Sequence, residues 1–499
     1  MKRITILLLA AFAALAGTTL ASCDHFAELN ENPNQITYGN VTPSKLLQDV
    51  LYSGHWTVFY RSWRINGQLM QYNIQTNGQE LTANYDVRAT ESATLWQNLY
   101  RWAAGANHIA VISEAQGDAN MQAIGLTLKV YLSESITAIF GDIPYSEAFQ
   151  WTELVSHPKY DDQETVYTRM LEELEKANSL YNTSKTLDYP ERDLLYQGDI
   201  SRWKKFTNSL RMRLLMRCSK CRMEKLDPAS EMQKMVSDPE TYPLFSANSD
   251  GAIFRYTGIN PNYNGFGPTT STDPMSTNMR LGATFVNKMM ASGDPRISFM
   301  AKANNGEYIG LEAGQTNDYI ALVAPTACTF NANLSTDTAP STLMNYAELL
   351  FIEAEAVFRG LINNGEKTAK ELYDAAVTAS VRQWMGNESW QPGVFLQEPS
   401  TAAFNGTLER IMDQKYLATF LCGYEAWCDY RRTGLPVMQI GPAHVNKDAQ
   451  GKAVLPTRLR YPLITQTSNG ENWRKAVSLL ETGKDDMLSR VWFARGTNY

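Results

Sequence analysis

Apolar residues recur every three or four positions through long stretches of this chain, and that period fits helices rather than strands. Met170, Leu171, Leu174, Ala177 and Tyr181 share one stripe, with an N-cap signal at Asp161 and Glu164. The spacing predicts a second helix from about Asp199 to Glu224. It carries Trp203, Phe206, Leu210, Leu214 and Cys218 on one face, ringed by Arg211, Arg213 and Arg217. A third runs from about Thr342 to Arg359 through Leu343, Tyr346, Leu350, Ala354 and Phe358, and Gly360 ends it. After the turn Asn363-Asn364-Gly365, a fourth continues through Leu372, Tyr373, Ala376 and Ser380 to Trp384. A fifth covers Leu408 to Phe420, with Ile411, Lys415, Leu417 and Ala418 in its stripe. Helix, short turn and helix with small and aromatic residues at the crossing predicts tetratricopeptide-like packing, although no repeat of that family's length is legible. The expected fold class is all-α.

Between the helices lie stretches with little periodicity: 60–92, 242–280, 386–407 and 434–462, rich in Gly, Pro, Asn, Thr and aromatic residues. Long loops on a compact scaffold are where function usually sits.

The N-terminus sets the compartment. Lys2 and Arg3 precede an apolar run from Ile4 to Ala16, which has signal-peptide length. Leu20-Ala21-Ser22-Cys23 then reads as a lipobox, with Cys23 as the acylated first residue of the mature chain. Several acyl chains on one residue anchor far more firmly than one. The expected division is a signal peptide over 1–22 and a single domain over 23–499. Removing residues 1–22 takes the net charge from −7 to −9.

That charge argues against a nucleic-acid binder, which needs a basic face. The apolar fraction of 44% argues against disorder. Beyond the N-terminus no run of membrane-spanning length lacks charge breaks. Five histidines lower the prior for a His-based centre, whereas 25 tyrosines and 11 tryptophans raise it for stacking surfaces. Five cysteines follow Cys23, so at least one thiol stays unpaired, and the lone Cys218-Ser-Lys-Cys221 has no second pair at zinc spacing.

Catalytic motifs fail on inspection. Gly360 to Thr368 nearly spells a phosphate-binding loop, but the spacing before Lys367 is wrong and a helix precedes it. Gly265-Phe-Gly267 lacks the third glycine of a dinucleotide site. Glu348 and Glu355 lie on one side of their helix about two turns apart, roughly 10 Å, while Glu353 points elsewhere. A glycosidase needs two carboxyls facing one bond, and these read instead as salt-bridged or solvated.

Several segments together resemble one family. They are Asn32-Pro33-Asn34; Phe140-Gly-Asp-Ile-Pro-Tyr145; Pro158 to Tyr167; Gly198-Asp199 with Trp203 to Arg213; Asp294-Pro-Arg296; Met344 to Glu355; Gln414-Lys-Tyr416; Glu425-Ala-Trp427 with Tyr430 to Gly434; Arg458 to Pro462; and Val491-Trp492. In this order they resemble SusD/RagB-like outer-membrane lipoproteins of Bacteroidetes, in the SusD-like subgroup that opens on Asn-Pro-Asn. Two positions depart from the family pattern: Thr137-Ala138 stands where Thr-Asp is usual, and Phe493 where a second Trp is usual.

The resemblance implies tetratricopeptide-like helix pairs supporting a loop-rich binding face. It implies a lipid-anchored protein on the outer leaflet of the outer membrane, and Asp24, Glu28 and Glu31 after Cys23 suit surface display. It implies a lid on a SusC-like TonB-dependent barrel, a glycan or oligopeptide ligand, and no covalent chemistry. No cofactor is expected; some members hold calcium, but no Asp-rich loop of EF-hand spacing is present.

Sugar binding calls for aromatic planes against ring C–H faces and for amides and carboxylates at hydroxyls. Loop 60–96 supplies Tyr60, Trp63, Tyr72, Asn73, Tyr85 and Trp96, and loop 254–280 supplies Tyr263, Asn264 and Arg280. These nine are the expected ligand contacts. Gly141 to Pro144 reads as a turn, Tyr145 as a buried anchor, and Trp427, Asp429, Arg431 and Arg432 as a packed ion-pair corner. The rival readings are a secreted helical glycosidase and a helical-repeat assembly scaffold.

Overall fold

The computed structural model describes residues 42–498, except 78–81, 151–154, 272–274, 276 and 366. Cys23 and the leader before it lie outside the described residues.

The architecture is helical. After α1 (Pro43–Asp49) and a π-helical turn (Val50–Gly54) come α2 (His55–Arg64), α3 (Asn66–Leu69), α4 (Ala89–Gln116) and α5 (Ala119–Phe140). Helices α6 (Gln163–Leu180), α7 (Ile200–Cys218) and α8 (Pro228–Ser237) follow, then α9 (Ala283–Ser292), α10 (Ile297–Met300) and α11 (Asn317–Val323). The C-terminal part holds α12 (Tyr346–Phe358), α13 (Ala369–Met385), α14 (Leu408–Ala418), α15 (Glu425–Thr433), α16 (Leu463–Ser468), α17 (Gly470–Ser478) and α18 (Trp492–Arg495). Successive helices pair in tetratricopeptide-like fashion: α4 with α5, α6 with α7, and α12 with α13.

Helix α5 is the hub. From Asn120 to Phe140 every residue is buried, because α4, α6 and α7 pack around it. A helix enclosed on all sides is apolar all round and shows no stripe, so its sequence is long and apolar enough to pass for a membrane span. Its closest approach is at Gly125, where an added Cβ would stand 2.5 Å from the Ala110 nitrogen of α4.

The predicted helices are present with shifted ends. Asp162, not Asp161, caps α6 by accepting from the Thr165 amide. Asp161 instead accepts from the backbone N–H groups of Tyr145 and Ser146, closing the Gly141–Pro144 turn. The second predicted helix stops at Cys218 rather than Glu224. The third begins at Tyr346, capped by Asn345. Residues Ser341–Met344 ahead of it form a strand, since a short apolar run of this length reads equally well either way. Thr368 and Glu371 make a reciprocal capping box at the start of α13.

Short antiparallel ladders staple the loops to the scaffold: β1 (Asn73–Gln75) with β3 (Met279–Leu281), β2 (Ala252–Phe254) with β6 (Ser341–Met344), and β4 (Ala301–Lys302) with β5 (Thr329–Phe330).

Buried ions knit the helices. Arg296 donates from Nε to Asp294 at 2.9 Å, from Nη1 to Ser380 of α13 at 2.9 Å and from Nη2 to Gln414 of α14 at 2.6 Å. Arg432 donates to Glu355 at 2.6 Å and to Asp429 at 2.9 Å, and Asp429 also meets Lys415 at 2.8 Å. The expected ion-pair corner needs one correction. Arg431 pairs with no carboxylate among the described residues; its guanidinium lies 3.8 Å over the Trp427 ring and donates to the Ala138 and Thr457 carbonyls. Burial lowers its pKa, and the ring and carbonyls stand in for an anion.

Candidate functional site

Helix α2 carries Trp56, Tyr60 and Trp63, spaced four and three residues apart and so on one face. The sequence placed Tyr60 and Trp63 on a loop; they are helical. Trp56 and Tyr60 stack at 5.6 Å between ring centroids. Phe266 plugs into this row, 5.1 Å from Trp56 and 4.9 Å from Trp63. The neighbouring Gly265 lies flat on the Trp56 indole, where any Cβ would come within 2.3 Å of the ring. Rings continue inward from Trp63 to Phe330 at 6.4 Å, Phe420 at 6.1 Å and Trp384 at 5.8 Å.

That row ends at a cavity of about 640 Å³, a volume ordinary for ligand sites. Phe59, Phe420 and Trp384 give it aromatic walls. Strand β2 buries Phe254, and its Ile253 lines the cavity together with Arg255, the residue just after the strand. The last turn of α13 contributes Arg382, Gln383 and Trp384. The Trp384 indole N–H is buried with no hydrogen-bond partner among the described residues. Glu388 sits on the rim, its carboxylate held by the Asn248 amide at 3.1 and 3.3 Å.

Ser341 also lines the cavity, with its Oγ 2.7 Å from His55 Nε2. The pair looks like a nucleophile and its base. However, burial pushes His55 down to about 3, and Nδ1 faces the Tyr131 hydroxyl at 3.0 Å rather than a carboxylate. An imidazole held neutral this way is too weak a base to activate a hydroxyl. Among the described lining residues Glu388 is the lone carboxylate, whereas glycoside hydrolysis uses a facing pair. The arrangement suits holding a ligand.

None of the nine expected contacts lines this cavity. Four are corrected outright as interior residues. Tyr72 is 1% exposed, stacks on Tyr416 at 4.3 Å and donates to the Tyr416 carbonyl at 2.6 Å. Asn73 is buried in β1 and donates to the Trp63 carbonyl. Tyr85 is buried against the His444 ring at 3.8 Å and takes the Gln71 amide on its hydroxyl. Asn264 is buried and donates to the Ala339 carbonyl. Tyr72, Asn73 and Asn264 spend their polar groups on backbone carbonyls and Tyr85 spends its hydroxyl on the Gln71 amide, so the loops fold back over their own polar residues.

Trp63 is 7% exposed within the α2 row. Trp96 sits on α4, packed on Tyr100 and Phe140. Arg280 of β3 donates to the Ala324 carbonyl at 2.9 Å. Tyr60 and Tyr263 remain half-buried; the Tyr263 carbonyl accepts from the Tyr52 hydroxyl at 2.8 Å. The cavity residues that went unnoticed, Arg255, Arg382, Trp384 and Phe420, come from separate segments. The one available signal was that 242–280 and 386–407 are irregular stretches flanking predicted helices.

Among the described residues no cluster of three or more His, Cys, Asp or Glu side chains has the makings of a metal site. The five cysteines from Cys218 onward are all buried free thiols.

Residues 33–462 match a SusD-like family model described as starch-binding and associating with the outer membrane. Among solved structures the chain is similar to a chitin-binding protein, at 24% identity over 91% of this chain and 100% of that one, with a TM-score of 0.76. It is similar to a SusD homolog from Bacteroides fragilis NCTC 9343, at 23% identity over 91% and 100% of the two chains, with a TM-score of 0.74. A chitin-binding SusD homolog from Flavobacterium johnsoniae is similar at 24% identity, over 93% and 97%, with a TM-score of 0.73. At these identities the likeness carries the fold. No curated protein matches the chain.

Proposed function

The chain belongs to the SusD-like family of nutrient-binding proteins, and from that membership we propose that it is a surface lipoprotein, acylated at Cys23, that captures an oligosaccharide in the Trp384 cavity and passes it unaltered to a SusC-like TonB-dependent barrel. The observation that carries this reading is the cavity itself. It is walled by Phe59, Phe420 and Trp384, with the amides of Asn248 and Gln383 beside them. Flat rings against apolar sugar faces and amides at hydroxyls are what a glycan binder needs. The chitin-binding activity of two structural relatives supports a glycan over a peptide. The family's association with the outer membrane agrees with the lipobox at Leu20–Cys23.

Calorimetry of the purified mature chain against a panel of oligosaccharides and oligopeptides, with product analysis of the same mixtures, tests the reading. The expected result is saturable binding of one oligosaccharide class with no cleavage. Sustained product release would replace the binder with a hydrolase. Co-purification with a barrel but no affinity for any small ligand would replace it with an assembly scaffold.

A further inference from the structure

We propose that the oligosaccharide this cavity takes is acidic: a sugar bearing a carboxylate, of the uronic-acid class, docked on the Arg255 guanidinium beside the Trp384 ring. This rests on the glycan reading above and narrows it to one ligand class.

The observation is a charge imbalance in a concave site. Arg255 lines the cavity and is exposed, and its guanidinium has neither an ion pair nor a hydrogen bond among the described residues. Arg382 lines the same space; its Nε donates to the Trp390 carbonyl at 2.9 Å, and its terminal nitrogens have no partner among the described residues. Glu388 is the lone anion of the lining, and it lies beyond ion-pair distance of both arginines, engaged by Asn248. The cavity is therefore net cationic on a chain of net charge −7. Five buried arginines elsewhere in this protein, Arg213, Arg217, Arg296, Arg432 and Arg458, meet carboxylates, and buried Arg431 lies on the Trp427 ring and on carbonyls.

The two arginines are not equivalent. Arg382 stands in the last turn of α13, where the carbonyl end of the helix favours a cation whatever the ligand. Arg255 has no such explanation, because it follows a short strand and stands at no helix end. Its planar fork fits a carboxylate through two parallel hydrogen bonds. Concave walls focus the field of the unmatched charge.

Calorimetry with size-matched hexamers tests this. Galacturonate, alginate and hyaluronan fragments serve as acidic probes, and chitin and starch fragments as neutral ones. One acidic hexamer should bind at least about tenfold tighter than either neutral hexamer, a gap of about 1.4 kcal/mol. The gap should shrink to about twofold in Arg255→Gln and at about 0.5 M salt, where exposed charges are screened. Glu388→Gln, which removes the opposing charge, should widen it. Arg255→Gln has no contact to lose, so an unchanged melting curve checks that folding is intact. Neutral hexamers bound as tightly as acidic ones, or an acidic preference that survives Arg255→Gln, would overturn the proposal while leaving the glycan reading in place. Binding of no hexamer at all would overturn both.

Discussion

Arg213 donates from Nε and Nη2 to the two carboxylate oxygens of Glu348, at 2.6 and 2.8 Å, where the side chains are 3% and 0% exposed. The pair joins α7 to α12. One turn on, Arg217 reaches Glu134 of α5 and holds Glu425 of α15 with two bonds of 2.7 Å. Two guanidiniums thus face three carboxylates in the dry centre of the scaffold. Burial raises the pKa of Glu134 and Glu348. Burial acts on Glu425 too, but Arg213 and Arg217 outweigh it and hold that carboxyl low.

Breaking one side of such a pair strands the other charge without water, so Arg213→Met should cost about 3–5 kcal/mol in urea unfolding. Adding Glu348→Leu removes the stranded anion. The double variant should be more stable than the Arg213→Met single variant, and a simple sum of the two single losses would contradict the coupling.

Glu353 sets a pH dependence without a partner arginine. It has no buried cation against it, and burial raises it to about 7, with Lys367 and the Asn364 amide pulling only partly the other way. A folded pKa above the unfolded one means the folded chain holds the proton longer. The associated stability is full below about pH 4.5 and is lost as pH rises through 7, about 3 kcal/mol in all at 1.4 kcal/mol per unit. Glu353→Gln should therefore melt higher than the parent at pH 8 and about equally at pH 4.5. A parent that melts no lower than Glu353→Gln at pH 8 would show the carboxyl to be unstrained there.

Gly125 should tolerate no side chain. A Cβ would meet the Ala110 nitrogen at 2.5 Å, its Cα at 2.9 Å and the Ala106 oxygen at 3.0 Å. All three are backbone atoms, which cannot swing aside. Gly125→Ala should cost about 1–3 kcal/mol despite the better helix propensity of alanine. Gly105 is the control, since its Cβ would meet only the Val50 methyl at 3.0 Å. Gly105→Ala should be close to neutral in the same thermal melts.

The helical scaffold was legible where one helix face meets water, as in α6 and α13. Helix α5 left no such trace, because it is enclosed and offers no polar face to set the period. Asp161 and Asp162 are both plausible caps, and only the geometry of the Tyr145 turn assigns the first to the turn and the second to the helix. The site was less legible for a different reason. Aromatic and amide residues such as Tyr72, Tyr85 and Asn264 are equally good at gripping a sugar and at satisfying backbone inside a folded loop, and composition cannot separate the two uses. The cavity is built from Arg255 just after a strand and Trp384 at a helix end, so no local pattern announces that both line it.

Trp384 and Tyr72 separate those two uses by experiment. Trp384 is half-buried, stands 5.8 Å from Phe420 and has its N–H free of protein partners among the described residues. Trp384→Ala should weaken oligosaccharide binding about tenfold, or about 1.4 kcal/mol, the order expected for losing one stacked ring. Tyr72→Phe removes only the hydroxyl that bonds the Tyr416 carbonyl. Losing that buried hydrogen bond, with the Thr419 hydroxyl still 3.4 Å from the same carbonyl, should cost about 1 kcal/mol of stability with ligand affinity unchanged. Unchanged affinity in Trp384→Ala would assign the aromatic wall around Trp384 to the core and not to the ligand site.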